Sequence, residues 1–267
     1  MRDVDIDKVK GLLEADLLRN IATLKVINAY SNSMMFKLLE KGQKWALLSQ
    51  LPTEVSAWDR KRYPNAKLIA FLNGNDLGCK RRLWHEMPKA EIVFKTGDLD
   101  FREMLSRAPG VFKVDSFVSF TNRMISPTSC KDAEVTQSNR LTPQVEELIK
   151  ENGYESEELL RLFANGAEWF GVEIDDRIVS VSFVFQNYGS VWEIAGVYTM
   201  PLFRKLGLAK RTVVASLYYL QARGFLPRYQ ARWNNGPSIQ LALSIGLEEF
   251  LRFDHFVMRS GERGRAT

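Results

Sequence analysis

Cysteine and histidine are scarce in this chain of 267 residues, two of each, and that scarcity removes two classes of protein at once. Cys79 and Cys130 lie far apart and are too few for a disulfide framework. His85 and His255 have no companions at metal-ligand spacing, so no metal site is expected. Long apolar runs are missing as well: nothing approaches the roughly 20 residues that a helix needs to cross a bilayer. The stretch Met1–Asp7 is acidic where a secretory leader is basic and then apolar. A cytoplasmic protein with no membrane partner is therefore the expectation. Hydrophobic residues at 45% and charged residues at 26% exclude disordered and fibrous classes and describe an ordinary globular chain.

A net charge of +5 raises the question of nucleic acid, and its local expressions are Lys80-Arg81-Arg82 and the tail residues Arg259, Arg263 and Arg265. Such clusters are more often solvated surface, and a site for a polyanionic cofactor also draws basic residues. Nucleic acid is not the expected partner.

The most informative stretch is Arg204-Lys205-Leu206-Gly207-Leu208-Ala209. A strand-like run, Val191–Thr199, precedes it, Met200-Pro201 interrupts the strand, and an apolar helical pattern follows to about Arg223. The first N–H groups of a helix have no intrahelical partner and carry positive partial charge, so a pyrophosphate satisfies both there. Gly207 permits close approach, Ala209 keeps the first turn narrow, and Arg204, Lys205, Lys210 and Arg211 add charge. Taken alone, the hexapeptide reads equally well as an ordinary basic loop.

Around it the chain divides at a polar, turn-rich stretch, residues 126–132. Residues 1–125 open with an amphipathic helix through Val9, Leu12, Leu13, Leu17, Ile21 and Leu24. Strands then follow at Trp45–Ser49, Lys67–Leu72, Glu91–Phe94 and Val111–Phe120, with a helix at Leu99–Arg107. Residues 133–267 read as a strand (Glu134–Asn139), two helices capped by Thr142 and Ser156, a hairpin of Glu168–Ile174 with Ile178–Gln186, the strand and helix around Arg204, a strand at Arg228–Trp233, a helix at Ser238–Ile245 closed by Gly246, and one or two strands over Glu248–Met258. Val179, Val181, Phe183 and Phe185 alternate as if one face of their strand were buried.

Three features together resemble the GNAT superfamily of acyl-CoA-dependent acyltransferases over residues 133–258: the loop Arg204–Ala209, the order of strands and helices, and Asn235-x-x-Ser238-x-x-Leu241 ending at Gly246-Leu247. Two-domain bacterial acetyltransferases and glycine N-acyltransferase-like proteins of that superfamily are similar in layout. The resemblance implies an α/β (α+β) fold with a mixed, centrally splayed sheet, preceded by a smaller α/β domain that is a candidate degenerate copy of it. It implies acetyl-CoA or another acyl-CoA as cosubstrate and a small-molecule or peptide amine as acceptor. Val197, Tyr198 and Thr199 would offer backbone groups to the pantetheine arm, and Arg204, Lys205, Leu206, Gly207, Leu208, Ala209 and Lys210 would hold the phosphates. Asn235 and Ser238 would reach the pantetheine, although Asn235 also suits a simple turn.

Amine attack on a thioester needs a base, and Glu193 is the candidate, the alternative being a carboxylate that points to solvent or pairs with an arginine. Where many relatives carry a tyrosine acid this chain has Ala242. Tyr198 or Tyr229 is then the substitute, unless the thiolate, with a free pKa of about 8.5, leaves unaided. The expected function is N-acetyl transfer in a ternary complex. A non-catalytic acyl-CoA-binding module and an aminoacyl-tRNA-dependent transferase remain as alternatives.

Overall fold

A computed structural model describes residues 4–122, 132 and 134–259 of the protein. Most of the expected 126–132 linker lies outside these residues, as do Cys130, Arg263 and Arg265. The chain forms two compact units, Met1–Phe117 with Leu251–Thr267, and Val118–Phe250.

In the first unit, helix α1 (Ile6–Glu14) starts where Asp5 accepts hydrogen bonds from the backbone of Asp7 and Lys8. The single amphipathic helix expected from the apolar spacing is two helices. Asp16 takes a non-helical φ of −133°, and α2 (Leu17–Tyr30) restarts with Leu18, Ile21, Leu24 and Ile27 buried. The periodicity survives the break because both helices turn their apolar sides inward. Strands β1 (Met35–Lys41) and β2 (Lys44–Pro52) form a hairpin across a two-residue loop in which Gly42 has φ +61°. There follow α3 (Ala57–Arg62), β3 (Leu68–Gly74), α4 (Leu77–His85), β4 (Ile92–Thr96), α5 (Leu99–Arg107) and β5 (Val111–Thr121), the last of which passes into the second unit at Val118. Of these, β1, α3 and α4 were not anticipated. Strands β2 and β3 are antiparallel, whereas β3 and β4 are parallel. The core of this unit sets Leu48, Ala70, Leu72 and Phe94 against Leu83, Phe101 and Leu105.

The second unit runs β6 (Val135–Ser138), α6 (Pro143–Lys150), α7 (Ser156–Ala164), β7 (Glu168–Ile174), β8 (Arg177–Tyr188), β9 (Val191–Thr199), α8 (Leu208–Ala222), β10 (Leu226–Arg232), α9 (Gly236–Ser244) and β11 (Glu248–Met258). The closing segment is thus a single strand, and from Leu251 onward it belongs to the first unit, where it pairs antiparallel with β4. Thr142 caps α6 through Val145 N, with Pro143 in its first turn. Ser156 is not a cap: Glu155 holds that position without capping the helix through its side chain, and the Ser156 hydroxyl accepts from Lys150.

Strand β8 also departs from expectation, being buried on both faces. Val181, Phe183 and Phe185 pack with Val145, Ile149 and Leu159 of α6 and α7. Val179 and Val184 pack on the opposite side with Val213, Leu217 and Leu220 of α8. The intervening serines hide because they bond internally, Ser180 to Thr199 at 2.8 Å and Ser182 to Ser216 at 2.9 Å. Serine reads as polar in a sequence but is small enough to sit under a helix.

Candidate active site

The fork in the second unit's sheet positions the site. Strands β9 and β10 run parallel and pair over four rungs, Val191–Ile194 with Leu226–Tyr229. Beyond Ile194, β9 continues to Thr199 and β10 to Arg232 outside that ladder, so the β10-facing edge of residues 195–199 is released from strand pairing.

On its other edge β9 carries a bulge. Val181 faces Tyr198 and Phe183 faces Ala195, so Gly196 and Val197 together oppose Ser182. Gly196 has φ +56°, a backbone shape that suits glycine, and the side chain of Asn152 donates to Val197 O at 3.1 Å. The bulge lies at the mouth of the fork.

From Thr199 the chain passes through a 3-10 turn, Pro201–Phe203, into the basic loop. Arg204 Nε donates to Thr199 O at 3.0 Å, which ties the loop to the strand end, and the guanidinium lies 5.7 Å from the Tyr198 ring centroid. Lys205 has φ +66° and Gly207, at the cap of α8, φ +78°. A Cβ on Gly207 would meet open space. Arg204, Lys205, Leu206, Gly207 and Lys210 are exposed, and Leu208 anchors the helix in the core. Arg211 is not part of this charge: it is committed to Asp132 at 2.6 Å and Glu134 at 2.6 Å. Its position in the first helical turn suggested phosphate contact, but its long side chain reaches carboxylates distant in sequence.

The three catalytic candidates occupy different surroundings. Glu193 is buried on the third rung of the fork, directly across from Arg228. Its Oε2 accepts from Arg228 Nη1 at 2.5 Å and from Asn187 Nδ2 at 2.8 Å, while Arg228 Nη2 donates to Ser119 Oγ at 3.1 Å. Tyr229, on the last rung, is buried, and its hydroxyl lies 2.7 Å from Ser238 Oγ. Burial pushes the Tyr229 phenol up from its ordinary pKa, with the Ser238 bond acting in the opposite sense. Tyr198 is half-buried and packs on the side of β9 that faces α6 and α7. Asn235 accepts from Ser238 N at 3.2 Å and so caps α9, which places Asn235, Ser238 and Tyr229 in one group at the start of that helix. Ala242 is buried in the core on the same helix.

Sequence reading missed Arg228, Asn187 and Asn152. Only Gly196, a glycine inside a strand pattern, gave a local signal of irregularity. The basic triplet Lys80-Arg81-Arg82 is not a patch either, because Lys80 is buried against Asp98 at 2.6 Å. Among the described residues no cluster suited to a metal ion is found, and no helix is long and apolar enough to cross a membrane.

Residues 134–246 match the model of the acetyltransferase (GNAT) family. That family transfers acyl groups from acyl-CoA. Among solved structures, a GCN5-related N-acetyltransferase from Sphaerobacter thermophilus is similar at 12% identity and TM-score 0.55, covering 97% of this chain and 94% of that one. A GNAT-family acetyltransferase from Colwellia psychrerythraea is similar at 12% identity and TM-score 0.56, over 91% and 97%. A tandem GNAT protein from the clavulanic acid biosynthesis pathway is similar at 10% identity and TM-score 0.54, over 99% and 98%. At these identities the likeness is one of fold. A comparison with curated proteins finds no match.

Proposed function

We propose that the second unit transfers an acetyl or other short acyl group from acyl-CoA to a primary amine, a small molecule or a peptide, by direct attack in a ternary complex. The observation that carries this reading is the parting of β9 from β10 immediately before the Arg204–Ala209 turn. A released strand edge accepts an amide-bearing chain as an added strand, which suits pantetheine beside Val197, Tyr198 and Thr199. Residues Arg204 through Lys210 suit the diphosphate: Gly207 leaves space, α8 presents its first amides, and the exposed cations lie alongside. The bulge at Gly196 and Val197 frees a backbone group from the ladder, and an N–H there polarises the thioester carbonyl.

In this reaction the amine nitrogen forms a bond to the carbonyl carbon, the carbon–sulfur bond breaks, the ammonium proton leaves for Glu193 through a water, and the thiolate takes a proton from Tyr229. Tyr229 is placed to donate because an ordinary phenol, with a pKa of about 10, is protonated at neutral pH and Ser238 holds its hydroxyl in position. Asn235 and Ser238 orient the pantetheine beside it.

Titration calorimetry with acetyl-CoA tests the assignment. Wild-type protein should bind with saturable heat, and Gly207→Asp should weaken binding by about 30- to 100-fold, because a carboxylate would face the diphosphate. Aspartate tolerates both a left-handed backbone and an N-cap, so α8 should survive the change. Absence of heat from the wild-type protein at millimolar acetyl-CoA would refute the reading. Separately, Tyr229→Phe should lower kcat by about 10- to 100-fold and leave acetyl-CoA affinity within about twofold. An unchanged kcat would remove Tyr229 from the mechanism.

A further inference from the structure

The first unit repeats the plan of the second. Helices α1 and α2, strands β1 to β3, helix α4, strand β4 and helix α5 follow the order of α6 and α7, β7 to β9, α8, β10 and α9, with α3 inserted. The fork is repeated too. Parallel strands β3 and β4 pair only over Leu68–Ala70 with Ile92–Phe94, and β3 then runs on to Gly74 and β4 to Thr96. A cleft of about 590 Å³ opens at these two strand ends, walled by α1 and α2. Crevices at the carboxyl ends of parallel strands are where α/β sheets bind ligands.

The chemistry of this cleft differs from that of the Arg204 turn. At the β3-to-α4 junction, where the second unit has Gly207, the cap is Asp76, whose Oδ1 accepts from Cys79 N at 2.8 Å. That bond, reinforced by Lys44 at 3.0 Å, holds the Asp76 carboxyl down at about 2. Asp98 caps α5 through Phe101 N at 2.9 Å and pairs with Lys80. Both helix starts are thus already occupied by protein carboxylates, and a phosphate approaching either meets like charge. Of the cations that line the cleft, Lys95 is matched by Asp59 at 2.5 Å and Lys8 by Glu40 at 2.6 Å, while Arg19 faces Asp16 at 4.0 Å at the exposed rim. Lys95 is buried, and burial lowers its pKa.

Amides and hydroxyls are what the wall still offers. Thr23 Oγ1 donates to Asn73 Oδ1 at 3.2 Å, Asn73 Nδ2 to Asn20 Oδ1 at 2.9 Å, and Asn20 Nδ2 to Leu13 O at 2.9 Å. Each asparagine amide has two donors and two acceptor lone pairs, so this chain retains donors and acceptors in alternation. Trp45 and Phe253 add aromatic surface. Paired donors and acceptors beside an aromatic wall, with Lys8, Lys95 and both helix starts compensated, match vicinal hydroxyls on an uncharged ring.

We propose that the first unit holds a second small-molecule site, at the ends of β3 and β4, which takes a neutral polyhydroxylated ring, a sugar or a cyclitol, in place of a phosphorylated nucleotide. The site is independent of acyl transfer in the second unit.

Saturation-transfer NMR on the full chain tests it with D-glucose, myo-inositol and D-glucose 6-phosphate as probes. At least one neutral probe should saturate below about 10 mM, and the phosphate ester should bind about tenfold or more weakly than glucose. Gly11 of α1 lines the cleft, and a Cβ there meets open space, so Gly11→Leu should plug the cleft while favouring the helix. That variant should lose the neutral ligand by about tenfold or more, with the heat of acetyl-CoA binding unchanged. Thr23→Val, which removes one hydroxyl of the chain without changing side-chain shape, should weaken the neutral ligand by about threefold to tenfold and supports the site if Gly11→Leu fails to fold. The proposal is overturned if neither neutral probe saturates, if the phosphate ester binds as well as glucose, or if the folded variants leave the neutral ligand's affinity unchanged.

Discussion

Gly196→Ala should destabilise the protein by about 2–5 kcal/mol and lower Tm by roughly 10 °C. The estimate has two parts. Holding alanine at φ +56° costs roughly 1–2 kcal/mol, since its Cβ crowds the following carbonyl. The second part is steric: a Cβ at Gly196 would lie 2.4 Å from Phe183 Cε1, 2.6 Å from Phe183 Cδ1 and 3.1 Å from Ile149 Cγ2. Phe183 has no room to move, because its ring packs on Tyr154 at 5.2 Å, Phe185 at 5.6 Å and Phe163 at 5.9 Å. Overpacking of that kind adds about 1–3 kcal/mol. Gly189→Ala separates the two parts. Gly189 has φ +54° but open space at the Cβ position, so its substitution should show the backbone cost alone. Equal destabilisation by the two variants, measured by chemical denaturation, would mean that the bulge accommodates a side chain and that Phe183 does not fix its shape.

What could be read in the sequence, and what could not, divides along the range of the forces involved. The Arg204–Ala209 turn, the cap at Thr142, the glycine stop at Gly246 and the strand content around them are local: each follows from backbone preferences within a few residues. The fold of residues 134–246 was therefore legible. Misreadings occurred where a distant partner decides. Lys80 and Arg211 look like surface cations until Asp98 and Asp132 reach them. Strand β8 looks one-sided until Ser182 finds Ser216 under α8. The break between α1 and α2 rests on the backbone of Asp16, a residue that any helix tolerates on its surface. In the candidate site, Glu193 was legible as a carboxylate on the strand that leads into the Arg204 turn, but Arg228 lies 35 positions along the chain and nothing local ties them.

Arg228→Met should lower stability by about 3–5 kcal/mol, because removing one member of a buried ion pair strands the other charge. Glu193 has few alternatives: of the hydrogen bonds to its Oε2, only the one from Asn187 at 2.8 Å would remain. Glu193→Gln keeps the shape and the acceptor but leaves Arg228 without a counter-charge, and should be destabilising by a comparable or smaller amount. The double variant Glu193→Leu with Arg228→Met replaces the pair by apolar side chains and should recover most of the loss, so the cycle should show a coupling of about 2 kcal/mol or more. Kinetics then distinguishes a carboxylate that moves a proton from one that merely fastens two strands. If Glu193 takes the ammonium proton, Glu193→Gln should lower kcat by about 100-fold or more with acetyl-CoA affinity intact, whereas Arg228→Met, assayed below its melting range, should keep kcat within about tenfold. If both variants lose stability together and Glu193→Gln keeps its turnover, the pair is a fastening at the base of the fork. The proton must then leave through another group in the gap that β9 and β10 open beyond it.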